Sequence, residues 1–513
     1  MFLSFLAVLP LLCASTTHVV DAGGAGTFLT IQSAIDASLA GDLIQINPGT
    51  YEEDLIVDVS VTIFAQTPGT VTIYPATSNA GTGVGGQVGT TTQSCLIRAH
   101  DVTLEDLLFI GDNPNFSPQF DARNGIVTDY ESGTWDRLTV RRCTARKYLH
   151  RAFYVVNGTG HFLVDCIARR TLSMGFESCG FMIYRASAEV RNCTATDCGI
   201  GIATHNGSTV VLDSNYAESC ELGILCNGTP AASTVTNNEL VDCDQGIQLI
   251  GTRAHIDVTN NLFLRNRWGL SYFGSNGTAT IANNLFDADG ELGLTGIHAM
   301  TDLAPWGVND VRGTVTNNQF LGMEIGIILD ETVGLQSNVI DLTIGGAPDE
   351  GNSFFGSSAH NLFLDHCDDP INATYNNWGV PKGGDIEATI FHHFDDANLG
   401  LVDFSSSVFE LLLEASGIVA NQMGAFTLTG ATPLSTVMLV VSTTGPGPES
   451  SPYGDLYISS PHFFLPNMTS SSSGVASTHI MVDPNYVGRT FWMQGFDLAS
   501  KTLSNGIEVL VLN

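Results

Sequence analysis

One set of equivalent residues recurs through the middle of this chain at a spacing that few architectures can accommodate. The strand-like endings VRRCTA, VDCIA, RNCTA, DSNYA, TNNEL, TNNLF, ANNLF and TNNQF place Cys143, Cys166, Cys193, Asn215, Asn238, Asn261, Asn284 and Asn318 in one series. From Cys193 to Asn284 the steps are 22 or 23 residues. A second motif keeps pace at Gly201-Ile202, Gly223-Ile224, Gly246-Ile247 and Gly269-Leu270. Short stretches rich in Val, Ile and Thr at this period leave no room for paired helices. The fixed leucine pattern of a leucine-rich repeat is missing. What remains is a chain that coils so that each turn lies one strand spacing, about 4.8 Å, above the last, parallel strand on parallel strand.

Equivalent residues then stack as ladders. An inward Asn can hydrogen-bond the turn backbone and the next Asn, and an inward Cys is a small apolar filler. On this reading Cys143, Cys166 and Cys193, and a second row of Cys198, Cys220 and Cys243, belong to the core. Neighbouring coils are close enough in Cα distance for a bridge, so one or two disulfides stay open. A metal site needs ligands that converge on a point, whereas a ladder spreads thiols along a line.

The ends of the series also read physically. In Thr30–Leu39, Ile31, Ile35, Ser38 and Leu39 share one helical face, Thr30 can cap the helix and Gly41 can end it. Such a helix would cover the open apolar end of the coil. Residues 1–15 carry an apolar run followed by small residues, the pattern of a signal peptide and too short to span a bilayer. The expected product is secreted, periplasmic or on the cell surface, without membrane insertion. Beyond Phe404 the ladder stops. Residues 408–513 show alternating apolar runs separated by turn-rich spacers, which predicts an antiparallel β-sandwich. The organisation is thus all-β: a signal peptide (1–15), a parallel β-helix (19–405) with an N-terminal capping helix, and a C-terminal sandwich (408–513).

Charge adds a constraint. Fifty-two acidic residues against 19 basic ones give a net charge of −33, which argues against nucleic acid as partner. Ten of the basic residues fall within 137–191, where only Asp165, Glu177 and Glu189 oppose them. The 23-residue step puts Arg146 beside Arg169 and Lys147 beside Arg170 on adjacent coils. Like charges so placed are costly unless an anion or carboxylates lie among them, and Asp197 is a candidate internal partner. Tyr148, His150, Arg151 and Tyr154 follow in the same coil. Asp287, Asp289 and Glu291, hard oxygen donors at alternate positions, form a calcium candidate that a turn between coils explains equally well.

The segment GDLIQINPGTYEEDLIVDVSVTIFA (41–65), following the IQSAIDAS helix, resembles the entry of pectin-lyase-like right-handed parallel β-helix proteins. NATYNNWGVPKGGDI (372–386) and FDDANLGLVDFS (394–405) resemble the closing segment of that superfamily. The resemblance covers about residues 19–405 and includes secreted bacterial members with a C-terminal sandwich. It implies a right-handed coil and a polysaccharide or cell-surface glycan as partner. In lyases of this fold a cation neutralises a uronate carboxylate and a Lys or Arg takes the acidified proton. Carried over, Lys147 becomes the base, Arg169 and Arg170 hold the carboxylate, Tyr148 or His150 donates the proton, and Arg146, Arg151 and Tyr154 bind substrate. The acidic motifs of the polygalacturonase hydrolases do not occur in order. A noncatalytic adhesion or structural role is the other reading the resemblance permits.

Overall fold

The computed structural model describes all residues except 1–14, 82–89, 117–119, 172–177, 230, 302–309, 332–337, 381–385, 408–410, 433, 448, 452–453, 472–473 and 500. The expected signal peptide lies almost wholly outside the described residues. The chain divides into two compact units, Met1–Gly313 with Asp330–Ile340, and Thr314–Leu329 with Asp341–Asn513.

The first unit is a parallel β-helix with three strands per coil. In one coil these are Ser187–Arg191, Thr194–Thr196 and Ile200–His205, and in the next they are Thr209–Asp213, Tyr216–Glu218 and Leu222–Asn227. Each pairs in parallel with its counterpart one coil on, so three sheets run along the coil axis. We call them the first, second and third sheet in that order.

The corner between the first two sheets explains the Asn-Asn doublets. Asn237, Asn260 and Asn283 sit at φ of 57°, 58° and 57°, a left-handed conformation that Asn tolerates better than most residues. That turn swings the following Asn inward. Asn238 Oδ1 accepts from the backbone N–H and from Nδ2 of Asn215, both at 2.9 Å. Its own Nδ2 donates to Asn261 Oδ1 at 2.9 Å and to the Leu212 carbonyl at 3.1 Å. The pattern repeats from Asn261 to Asn284. A buried polar row is stable only when satisfied in this way.

The Gly-Ile motif has a different cause. Gly201 and Ile202 both face inward: a Cβ on Gly201 would come 2.5 Å from the Gly223 carbonyl and 3.2 Å from the inward Ala217 Cβ, while Ile202 is fully buried. Glycine is required because two successive residues turn into the coil. Buried phenylalanines stack from coil to coil, with Phe153–Phe181 centroids 4.6 Å apart and Phe263–Phe286 4.5 Å apart. All ten described cysteines are buried free thiols, and the two Cys rows line up on successive coils.

The expected helix spans Ile31–Ala37, with the Thr30 hydroxyl accepting from the Ser33 N–H. It stops earlier than Gly41 suggested: Ser38 is its C-cap, and Leu39, expected on the covering face, is 72% exposed. Glu53 receives the first two helical N–H groups, of Ile31 and Gln32, both at 2.8 Å. That carboxylate closes the helix onto the first coils.

The second unit contains further parallel coils, with an Asn318–Asn352–Asn376 amide ladder and a Phe320–Phe354–Trp378 stack. From Leu412 the pairing becomes antiparallel. A three-stranded sheet (Leu412–Ser416, Met423–Thr429, Ala476–Met481) and a second sheet built on Thr436–Ser442, Thr490–Asp497 and Thr502–Leu510 form the C-terminal region. Leu413 and Leu428 from one sheet, and Val437, Leu439 and Met493 from the other, share one core. Face-to-face packing of two antiparallel sheets is a sandwich.

Replacement of Asn238 by alanine strands the Asn215 backbone N–H and one Nδ2 hydrogen in a dry interior, while the other keeps the Val190 carbonyl. We expect a loss of about 2–4 kcal/mol, read as a drop in thermal midpoint; Gly223→Ala, whose Cβ would lie 2.5 Å from the Gly246 carbonyl, should also lower it. An unchanged midpoint for Asn238→Ala would show that the ladder is not stabilising.

Candidate functional site

The basic stretch of 137–191 takes its shape from the corner between the second and third sheets. Lys147, Arg170, Asp197, Ser219, Asp242 and Arg265 all occupy one left-handed corner position, at φ between 51° and 61°. Arg146 and Arg169 are register partners, as the spacing predicts. The charges do not, however, converge on an open cluster.

Lys147 Nζ lies 2.9 Å from Asp112 Oδ2, and Arg169 Nε is 3.8 Å from Asp197. Arg137 pairs with Asp101 at 2.6 Å, Arg141 with Glu105 at 3.4 Å and Arg142 with Asp106 at 2.7 Å. These three pairs share a separation of 36 residues, the length of that coil. The counter-charges that seemed missing within 137–191 come from the preceding coil for these three and Lys147, and from the following coil for Arg169. Pairs this exposed contribute little to stability, because water and salt screen them.

Tyr148 and His150 are not presented to solvent as proton donors. Tyr148 is fully buried, its hydroxyl donating to Ser94 Oγ at 2.9 Å, and burial pushes the phenol's pKa well up. A phenol sealed in the coil has no path to a polymer outside. His150 is 7% exposed, and its backbone joins Arg123 and Cys179. The calcium candidate is built as a turn: Asp289 bridges to Arg265 at 2.9 Å and its N–H donates to Asp287 Oδ1 at 2.8 Å. Arg265 also reaches Asp242 at 2.8 Å, so the corner carries an Asp–Arg–Asp charge ladder. The Asp287, Asp289 and Glu291 carboxylates are not gathered within 4.8 Å of one another.

Arg151 and Tyr154 lie elsewhere, on the outer face of the third sheet. Register places Tyr154, Met182, Ala203, Leu225, Gln248 and Ser271 in one outward row, continued by His298. A parallel row includes Arg151, Gln245 and Trp268, and a third includes Tyr184, His205, Asn227 and Phe273. The centre of this face, around Ile200, Leu222 and Leu225, is apolar and buried.

Two polar groups flank it. In the first, the Arg151 guanidinium is 3% exposed, lies 4.5 Å from the Tyr154 ring centroid, and donates from Nε to Met182 Sδ at 2.9 Å. Among the described residues its Nη1 has no hydrogen-bond partner. Burial pushes the Tyr154 phenol up to about 12, against the pull of Arg151. His205, stacked on Tyr184 at 6.0 Å and 3.1 Å from Asn227 Nδ2, is held below the usual histidine range by burial, with Arg151 adding to the depression. Its Nδ1 also lacks a partner.

In the second group, Gln248 Nε2 donates to Gln245 at 3.0 Å while Gln248 Oε1 is unpartnered. Ser271 Oγ and His298 Nδ1, on the next two coils of that row, are unpartnered as well. The His298 ring lies edge-on to Trp268 at 5.2 Å and to Phe273 at 6.0 Å, and Nε2 is 3.5 Å from Asp330. Buried polar atoms without partners are rare because each costs about 1–3 kcal/mol. Five on one sheet face define the site: Arg151 Nη1, His205 Nδ1, Gln248 Oε1, Ser271 Oγ and His298 Nδ1. Sequence reasoning missed all of them but Arg151. The available signal was the outward position directly after each Gly-Ile or Gly-Leu pair, which falls on Gln248 and Ser271.

His205 and His161 both have pKa values lowered mainly by burial. A depressed imidazole means the unfolded chain binds the proton first, so stability should fall as pH drops below the unfolded value of about 6.5. The His161→Gln/His205→Gln double variant should flatten the thermal midpoint between neutral pH and that region; an unaltered slope would place the pH dependence elsewhere.

Among the described residues, no helix is long and apolar enough to cross a membrane. Residues 124–286 match the family described as right handed beta helix region. No curated protein sequence matches the chain. Similar solved structures include the A-module of a mannuronan C-5 epimerase from Azotobacter vinelandii (15% identity, 74% of this chain and 93% of that one, TM-score 0.44). A surface adhesin of Streptococcus pneumoniae aligns over 65% of this chain and 88% of its own at 11% identity, TM-score 0.46. An alginate lyase from Paenibacillus sp. aligns over 70% and 99% at 12% identity, TM-score 0.33. The three parallel sheets and the matched region show the coils of this chain to be a right-handed parallel β-helix.

Proposed function

We propose that the outer face of the third sheet binds a polysaccharide. What supports this reading is the half-buried set of Tyr184, His205, Asn227, Trp268 and Phe273 on that face, set beside five polar atoms that have no partner among the described residues. A sugar chain suits both halves of that surface. Its hydroxyls donate and accept, as the unpaired imidazole, amide and hydroxyl groups require, and its C–H faces lie on aromatic rings. A net charge of −33 disfavours nucleic acid as the extended polymer.

The Arg151 group supports a second, catalytic reading, β-elimination on an acidic glycan. Arg151 would neutralise a uronate carboxylate, and neutral His205 would take the proton at C5. The C4–O bond would break as the C4=C5 double bond forms, with Tyr154 protonating the leaving oxygen. This reading moves the chemistry from Lys147 and Tyr148 to the third sheet. Arg146, Arg169 and Arg170, on the neighbouring corner, would then attract the acidic chain rather than react with it.

Affinity electrophoresis against alginate, polygalacturonate and neutral glucans tests binding. Trp268→Ala should weaken retention roughly tenfold, about 1.4 kcal/mol, at unchanged thermal midpoint. Retention of no polysaccharide, or equal retention of the variant, would refute the site. Ultraviolet absorbance of an unsaturated product, present in wild type and lost in His205→Gln, separates elimination from binding alone.

A further inference from the structure

The C-terminal sandwich has an outer face whose aromatic side chains its own core does not use. Register sorts the two faces of its larger sheet. Val437, Leu439, Val441 and Met493 enter the core, so Val440, Ser442, Trp492 and Gln494 face the other way. On that outer face Phe464 lies beside Val440 and His462 beside Ser442. Glu508 lies beside Trp492, and Gly506 beside Gln494. Tyr457 is laid over the same face: its N–H donates to Gln494 Oε1 at 3.1 Å, and a Cβ on Gly506 would collide with the Tyr457 Cβ. Gly506 is the vacancy that lets Tyr457 sit there.

Three features point to a ligand. Tyr457 is 56% exposed and Phe464 66% exposed, an unusual display of large rings for a surface with no partner. Trp492 stands half-buried among them, and its indole Nε1 has no acceptor among the described residues. Polar groups alternate with these rings, since His462 Nε2 is 3.5 Å from Glu449 and Glu508 stands next to Trp492. A protein or lipid partner would call for a continuous apolar patch. Separate rings interleaved with donors and acceptors suit a pyranose, whose C–H face covers a ring while its hydroxyls reach the groups between. Among the described residues, His462 alone opposes the carboxylates of Glu449 and Glu508 on this face, so an acidic sugar would be repelled.

We infer that the outer face of the C-terminal sandwich, centred on Tyr457, Phe464 and Trp492, is a binding site for a neutral saccharide, separate from the third-sheet face. The test uses the full chain in depletion assays against insoluble cellulose and chitin and in affinity electrophoresis with a soluble neutral glucan. Wild type should be retained by at least one of them. Tyr457→Ala/Phe464→Ala should lose at least tenfold in retention, and Trp492→Phe severalfold, each with an unchanged thermal midpoint. Tyr486→Ala is the control, because that exposed ring packs edge-on against Phe491, which faces the core, and it should bind as wild type. The site is overturned if no neutral polysaccharide retains the protein, or if the double variant is retained like wild type. Retention on phosphatidylcholine vesicles in place of neutral glycans, lost in the double variant, would overturn it in favour of a lipid surface.

Discussion

Everything in the β-helix depends on one constraint: each coil must lie a strand spacing above the last with its backbone hydrogen bonds directed along the axis. That geometry makes equivalent residues permanent neighbours. A polar residue turned inward is tolerable only if the next coil presents its complement, and Asn does so because one amide carries both donor and acceptor. Asn215, Asn238, Asn261 and Asn284 therefore form a continuous buried chain of amides. Cysteine meets the same corner differently, with its thiol directed at nearby backbone carbonyls, as Cys166 does at Val140 and Val164. The two solutions occupy the same position in the repeat and follow each other directly, with the Cys193 N–H donating to Asn215 Oδ1 at 3.0 Å.

The same constraint governs the surface. A charge at a corner has as its nearest neighbours the corners above and below, however distant in sequence. Arg265 between Asp242 and Asp289 is the simplest case. The arginines at 137–142 obey the same rule, with partners 36 residues upstream. Counting acids within a sequence window made this stretch look uncompensated, because a window measures chain distance and the helix measures coils. Lys147 and Arg170 share a position because the corner recurs, which is a property of the fold before it is one of any site.

The proposed binding would use the faces that stacking leaves outside the coil. The third sheet presents an apolar centre flanked by two polar groups whose hydrogen-bonding capacity is unmet. The antiparallel sandwich solves its own burial with one face of each sheet and leaves aromatic rings on another. In both places the fold spends polar or aromatic side chains where its own stability does not need them. Long parallel ladders hold such groups at fixed intervals, so a polymer lying along the axis would meet a repeating series of contacts.

The sequence by itself determined the coil, its period and its inward ladders, because those are set by residues that recur and by the few conformations open to Asn and Gly. It also determined that Arg146 stands beside Arg169, since register follows from the period. Which face of the coil a residue serves was decided only by tertiary structure. Tyr148 and Tyr154 are six residues apart in one coil, yet one is sealed inside against Ser94 and the other faces outward beneath Arg151. The difference turns on inward pairs such as Gly201-Ile202, where two successive residues point into the coil and shift the alternation that follows. A period fixes which residues stack; the local path of the backbone fixes whether the stack looks in or out, and no spacing in the sequence reports that.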